Sequence, residues 1–267
     1  MTQIDPARSI REFYAFHLKR HREAAGLSQP ALAALVHVSP QLIGHLENGI
    51  RRPTPRLSRT LDTALGLNSF FESLFPRLVE ESGIPVGFAE YTDEEARASL
   101  IKIYSQFIVA GLLQTQDYAR EVLRRGVRAD RLDEMAAARI ARQELFQREN
   151  PPSVVAILDE NAIRRRVGGG EVMKAQLESL LERNQEYDVT ILVVPFEAQI
   201  FPEGSFTLLS FDAEPDVAYE EGASGQGHLI EAGPRVTRLR ARFDLIASMA
   251  LSAVDSEKCM RGILETM

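Results

Sequence analysis

The chain is poor in several residue types on which particular chemistries depend. It has one cysteine, Cys259, and no tryptophan among its 267 residues. A single thiol excludes an intramolecular disulfide, and a reducing cytoplasm is the expected compartment. No apolar run approaches the roughly 20 residues that a membrane span requires. The start, Met1-Thr-Gln-Ile-Asp-Pro6, lacks the basic patch and apolar stretch of a secretory signal. Neither membrane nor export is therefore expected. Histidine is scarce and unevenly placed: His17, His21, His37 and His45 lie near the start, leaving His228 as the one imidazole further on. No serine sits in a nucleophile elbow. The expectation is no enzyme, no catalytic residues, no cofactor and no metal.

What is present fits a soluble globular protein of two domains, with 45% apolar and 26% charged residues. The net charge of −7 would weigh against a polyanionic partner if it were uniform. Residues 1–76, however, hold nine Lys/Arg against six Asp/Glu, and the remaining 191 residues hold 22 against 32. A basic head on an acidic body suits a protein whose head alone meets phosphate.

The head, 1–76, reads as a run of short helices. A first helix over about 8–25 stops at Gly26, suited to a left-handed C-cap. Ser28 can cap a second helix over 29–36. Ser39 and Pro40 restart the chain as N-cap and first helical residue, and this third helix, 39–47, stops at Asn48 and Gly49. Leu57, Leu61 and Leu65 give a fourth helix its apolar stripe. Ala33 is small enough to let two helices cross closely, and Leu32, Val36, Val38, Ile43 and Leu46 have the spacing to fill the core between them.

This constellation, Gly26-Leu-Ser-Gln-Pro-Ala-Leu-Ala-Ala-Leu-Val-His-Val-Ser-Pro-Gln-Leu-Ile-Gly-His-Leu-Glu-Asn-Gly49, resembles the Xre-type helix-turn-helix of phage and bacterial repressors over about residues 8–70. The resemblance implies a lambda-repressor-like domain that binds double-stranded DNA with helix 39–47 in the major groove. It places Gln41 and His45 at base-reading positions, with Ser39 and Pro40 at the start of the same helix. Gln can pair with adenine and His can donate to guanine. Gln29 falls where the family binds phosphate through a side chain or helix N-terminus, and Arg51 and Arg52 follow as phosphate candidates. Arg22 and Glu47 match a structural brace. Pro40 departs from the usual polar reader, and His37 occupies the turn position where Gly is usual, which implies a positive φ. His17 and His21 lie four apart, without a third ligand for a metal.

A connector is expected over 77–92, where Gly83, Pro85 and Gly87 crowd together. The remainder, 93–267, reads as an α+β domain with helices around one mixed sheet. Helical patterns cover 93–106, 115–125, 130–149, 171–184, 235–252 and 256–265, and strands are expected at 153–158, 189–194, 206–211 and 217–220. The unit 153–195 suits a parallel crossover. Leu239, Phe243, Ile246 and Met249 recur at helical spacing, fit either for a core or for a dimer contact. Gly168-Gly-Gly170 lacks the ending of a phosphate loop and reads as a turn. Asp159 and Glu160 read as caps, and Arg164–Arg166 and Glu220-Glu221 as solvated charge or an interface.

Several stretches resemble the long C-terminal domain that follows an Xre-type head in a regulator family of high-GC Gram-positive bacteria. They include Val109-Ala-Gly-Leu-Leu-Gln-Thr-Gln-Asp-Tyr-Ala-Arg120, Arg139-Ile-Ala-Arg-Gln143, Leu158-Asp-Glu-Asn-Ala-Ile-Arg-Arg165, Val189-Thr-Ile-Leu-Val-Val-Pro-Phe196 and Val217-Ala-Tyr-Glu220. Ala110 stands where the family usually has Pro, and its usual tryptophan near Phe88 and Tyr91 is missing. The resemblance implies a transcription regulator, expected as a homodimer. It also implies an alternative, an antitoxin-like protein whose main role is to bind a small partner protein. The body is thus open to a small-molecule effector, a protein partner or an enzymatic role, and the shortage of His and Cys weighs against the last. An effector needs a pocket with convergent polar groups; a protein partner needs an apolar patch or open sheet edge.

Overall fold

A computed structural model of the protein describes residues 4–50, 53–82, 88–186, 188–199, 204–222 and 227–267. The chain forms two compact units, Met1–Pro85 and Val86–Met267. The described residues of the first form helices joined by turns: α1 (Ile10–Ala24), α2 (Gln29–Leu35), α3 (Pro40–Glu47), α4 (Pro55–Leu65) and α5 (Phe70–Ser82). Ser28, Ser39 and Thr54 cap α2, α3 and α4, their hydroxyls accepting from Ala31, Leu42 and Leu57 amides at 3.2, 3.2 and 3.0 Å. Each such cap contributes about 1 kcal/mol. The α5 start is capped from a distance. The buried Asp62 carboxylate on α4 accepts from the Phe71 and Glu72 amides, both at 2.9 Å. Leu18, Leu32, Ile43, Leu46, Leu61 and Phe71 fill the core, with Ala33 buried where α2 and α3 cross.

The second unit is α+β. Its elements are α6 (Phe88–Glu95), β1 (Leu100–Ser105), α7 (Gln116–Leu123), α8 (Leu132–Ala141), β2 (Ser153–Asp159), α9 (Glu160–Arg164), α10 (Gly170–Arg183), β3 (Val189–Val194), β4 (Phe206–Ser210), β5 (Val217–Glu221), β6 (Gly227–Ile230), α11 (Pro234–Met249) and α12 (Ala253–Glu265), with short 3-10 turns between. One mixed sheet has the order β3-β2-β1-β4-β5-β6. β1, β2 and β3 run parallel, and β4 to β6 continue antiparallel. Alternate side chains feed two cores. Ile101, Ile103, Val154, Ala156, Ile191 and Val193 join Leu177, Leu180 and Met260 on one face. Tyr104, Ile157, Phe206 and Leu208 join Leu239, Phe243 and Ile246 of α11 on the other. The period of two along each strand creates this division.

Three expectations need correction. Residues 93–106 are not one helix: α6 ends at Glu95 and β1 begins at Leu100. In Leu100-Ile-Lys-Ile-Tyr-Ser105 the apolar side chains serve both faces of a central strand paired on each side. The sheet has six strands, because β1 and the four-residue β6 join the four segments expected as strands. The stretch 77–92 carries the end of α5 and the start of α6, since Phe88 and Tyr91 pack into the body's core.

The free edge of β3 is closed. Asn184 Oδ1 accepts from the Ile191 amide at 2.7 Å and Ser256 Oγ from the Val193 amide at 2.9 Å, while the Leu251 amide donates to the Val193 carbonyl at 2.8 Å. That edge is therefore not offered to another strand. No helix among the described residues is long and apolar enough to cross a membrane.

Candidate nucleic-acid interface

The sharp turn between α2 and α3 is set by single residues. His37 takes φ 56°, a left-handed conformation that β-branched side chains resist. The Val38 amide then returns to the Ala33 carbonyl at 3.0 Å, closing the α2 end before Ser39 opens α3. Gly49, at φ 62°, stops α3 in turn.

Behind α3 lies a buried polar brace. Arg22 Nε donates to Glu47 Oε1 at 2.5 Å and Nη2 to Oε2 at 3.0 Å, while Nη1 reaches the Leu27 carbonyl at 2.8 Å. The two side chains are 9% and 2% exposed. Hydrogen bonding to Glu47 holds the Arg22 guanidinium above its ordinary pKa, against the opposing effect of burial. Gln29 Nε2 donates to the same carboxylate at 2.7 Å. The carboxylate thus ties α1 and α2 to the last turn of α3. Gly44 lies beside this contact: a Cβ there would stand 3.4 Å from Gln29 Oε1, an ordinary van der Waals distance.

The outer side of α3 carries the base-reading candidates. Gln41 is exposed and His45 half-buried, one helical turn apart on one face. Neither side chain has a hydrogen-bond partner among the described residues. Ser39 and Pro40 are exposed at the start of the same helix. Gln29, by contrast, directs its amide inward to Glu47. Arg51 and Arg52 lie outside the described residues.

Arg11 was not among the sequence candidates. Its Nη2 donates to the Ile50 carbonyl at 2.9 Å, joining α1 to the turn after α3, and its buried Nε has no hydrogen-bond partner among the described residues. Nothing local marks a residue that acts on a turn 39 positions away.

His17 and His21 pack with Phe70, each ring 5.3 Å from its centroid. Burial, then the neighbouring His21 and Arg20, lower the pKa of His17 from 6.5. Among the described residues no group of three or more His, Cys, Asp or Glu could hold a metal ion. In the body, Asp159 caps α9 by accepting from the Asn161 amide at 2.9 Å. Glu160 instead accepts from Arg164 Nε at 2.5 Å and the Phe196 amide at 2.9 Å. Gly168 and Gly169 turn into α10 with φ 71° and 94°.

Two family models match the chain. A helix-turn-helix domain matches residues 14–69, from within α1 to just before α5. A domain of unknown function (DUF5753) matches residues 88–262, which covers the sheet and nearly all the helices of the body. No curated protein and no solved structure matches the chain.

Proposed function

We propose that this chain, which belongs to the DUF5753 family, is a sequence-specific DNA-binding transcriptional regulator with an Xre-type head. One observation carries this reading: α3 is capped, stopped and braced from behind, yet presents Gln41 and His45 on its outer face without a hydrogen-bond partner among the described residues. Buried polar groups normally satisfy each other, and rigid support of a contact helix is what base reading requires. In this reading α3 lies in the major groove. Gln41 addresses adenine, His45 addresses guanine, and Ser39 and Pro40 approach the neighbouring backbone or a thymine methyl. Arg51 and Arg52 neutralise phosphates. Gln29 acts by positioning Glu47 and α3, and phosphate contact at its location falls to the backbone of α2.

The body's role is binding rather than catalysis: it joins two heads and senses an effector or partner. A dimer would place two heads on half-sites roughly 34–36 Å apart. Leu239, Phe243 and Ile246 are committed to the body's own core. The large apolar residues that α11 leaves exposed are Leu245 and Met249, at 57% and 45%.

The test is selection of genomic fragments with the full chain, followed by anisotropy titrations on the enriched site and on random duplex. Gln41→Ala and His45→Ala should each cost roughly 1–3 kcal/mol on the enriched site and little on random DNA. Equal losses on both duplexes would remove the base-reading assignment. Failure to enrich any site would remove sequence-specific binding altogether.

A further inference from the structure

Three stretches far apart in the sequence meet at one polar cluster in the body. They are the turn Gly111–Leu113 with Gln114, where a Cβ on Gly111 would stand 3.3 Å from Arg142 Nη1 and 3.8 Å from Arg139 Cδ, the end of α8 with Arg139 and Arg142, and Tyr219 on β5, stacked on Tyr91, whose ring lies 5.5 Å from the Arg142 guanidinium. Arg142 is ion-paired within the cluster. Its Nε and Nη2 donate to Glu95 at 2.8 and 2.6 Å, and its guanidinium lies 5.0 Å from the Phe88 ring centroid. Glu95 is 1% exposed and also accepts the Tyr91 hydroxyl.

Arg139 is different. Its Nη1 donates to Gln114 Oε1 at 3.0 Å. No carboxylate among the described residues comes within 4.0 Å of it, and its Nε and Nη2 have no acceptor there. Gln114 is fixed in that orientation, because its Nε2 donates to the Val109 carbonyl at 2.7 Å and its own carbonyl accepts from Gln143 at 2.7 Å. Among the described residues a neutral amide is thus the sole acceptor for a half-buried cation. Burial, and next the Arg142 charge, hold the Arg139 guanidinium below the usual arginine range. A cation in such a place ordinarily has a counter-charge.

Tyr219 supplies a second unused donor. It is 4% exposed and stacks on Tyr91 with ring centroids 4.3 Å apart, yet its hydroxyl makes no hydrogen bond among the described residues. Arg139 and Tyr219 lie within electrostatic reach of each other. Glu221, exposed at the end of β5, interacts with both arginines without forming an ion pair within 4.0 Å.

A guanidinium with no carboxylate within 4.0 Å among the described residues, its Nε and Nη2 unbonded there, together with a hydroxyl unbonded there, is a donor set suited to an anion. The planar fork suits the two oxygens of a carboxylate. We propose that the body binds the carboxylate of a small organic acid at Arg139, with the Tyr219 hydroxyl as a second donor and Glu221 as a repelling charge that weakens the site. This deepens the reading of the body as a sensor, on which its regulatory meaning rests.

The full chain, labelled with nitrogen-15 at arginine and without DNA, is titrated with sodium acetate, sodium benzoate and sodium sulfate at constant ionic strength set by chloride. The expected result is a saturable shift of one arginine Nε–H signal with the two carboxylates, absent in Arg139→Gln. Tyr219→Phe should weaken binding about two- to tenfold, the loss of one hydrogen bond, and Glu221→Gln should tighten it. No saturation, equal affinity in Arg139→Gln, or sulfate binding as tightly as the carboxylates would overturn the proposal. If Arg139→Gln does not fold, Tyr219→Phe decides. It removes only the unpartnered hydroxyl, so unchanged affinity would sink the assignment. Because no DNA is present, a head that fails to bind DNA leaves this result standing, and a body that binds no carboxylate leaves the DNA reading standing.

Discussion

Replacing Glu47 by alanine removes the acceptor for three hydrogen bonds at once, from Arg22 Nε, Arg22 Nη2 and Gln29 Nε2. Arg22 would retain the Leu27 carbonyl and the exposed Glu23, the latter at 3.5 Å. Neither compensates for a guanidinium whose side chain is 9% exposed. Breaking a buried pair by removing one partner costs about 3–5 kcal/mol. The head spans Met1–Pro85, and at roughly 0.05–0.15 kcal/mol per residue a unit of that size holds about 4–13 kcal/mol. The substitution should therefore remove a large part of the head's stability. Calorimetry of the full chain would read it as a head transition lowered by about 4–8 °C for each kcal/mol lost, with the body's transition in place. The double variant Arg22→Met with Glu47→Leu should recover more than half of the loss, because the buried cation goes as well. A single-variant loss under about 1 kcal/mol, or a double variant no better than the sum of the singles, would refute the brace as a buried and mutually dependent pair.

Other consequences can be measured by urea or thermal melts. His37→Gly should be neutral or stabilise the head by up to about 1 kcal/mol, since glycine adopts φ 56° without a Cβ penalty; a clear loss would mean that the imidazole has a packing role. Gly227→Ala should destabilise the body by roughly 1–3 kcal/mol, because a Cβ there overlaps the Tyr219 hydroxyl and ring. Tyr219→Phe should not rescue it, since the ring remains; rescue would place the clash at the hydroxyl alone. The folded-state pKa of His17 is depressed below 6.5, so the unfolded chain binds more protons near that pH. Head stability should then be complete above about pH 6.5 and fall as the pH drops toward the depressed value. His17→Gln should flatten that slope, and an unchanged slope would assign it to other groups.

The head was legible in the sequence because the features that build it are local. Ser28, Ser39 and Thr54 cap within three residues of themselves, His37 and Gly49 set their own φ, and leucines at helical spacing declare an inward face. The resemblance that named Arg22, Glu47, Gln41 and His45 also rests on contiguous residues. The inward turn of Gln29 is different, because Glu47 lies 18 positions away and only the crossing of α2 over α3 brings them together. The same limit explains the body. Leu100–Ser105 is a short amphipathic segment, and its identity as the central strand was decided by partners at 153–158 and 206–210. The periodicity of α11 showed an apolar face, but only the fold determined that its own sheet covers Leu239, Phe243 and Ile246. Arg139 and Tyr219 are 80 residues apart, and although both fall in stretches that carry the resemblance, nothing in the sequence joins them. Arg139 and Arg142 differ because tertiary packing gives Glu95 to Arg142 and leaves Arg139 with an amide. Spacing along the chain fixes helix caps, turns and apolar stripes; which buried charge finds a counter-charge depends on contacts that form only when distant segments meet.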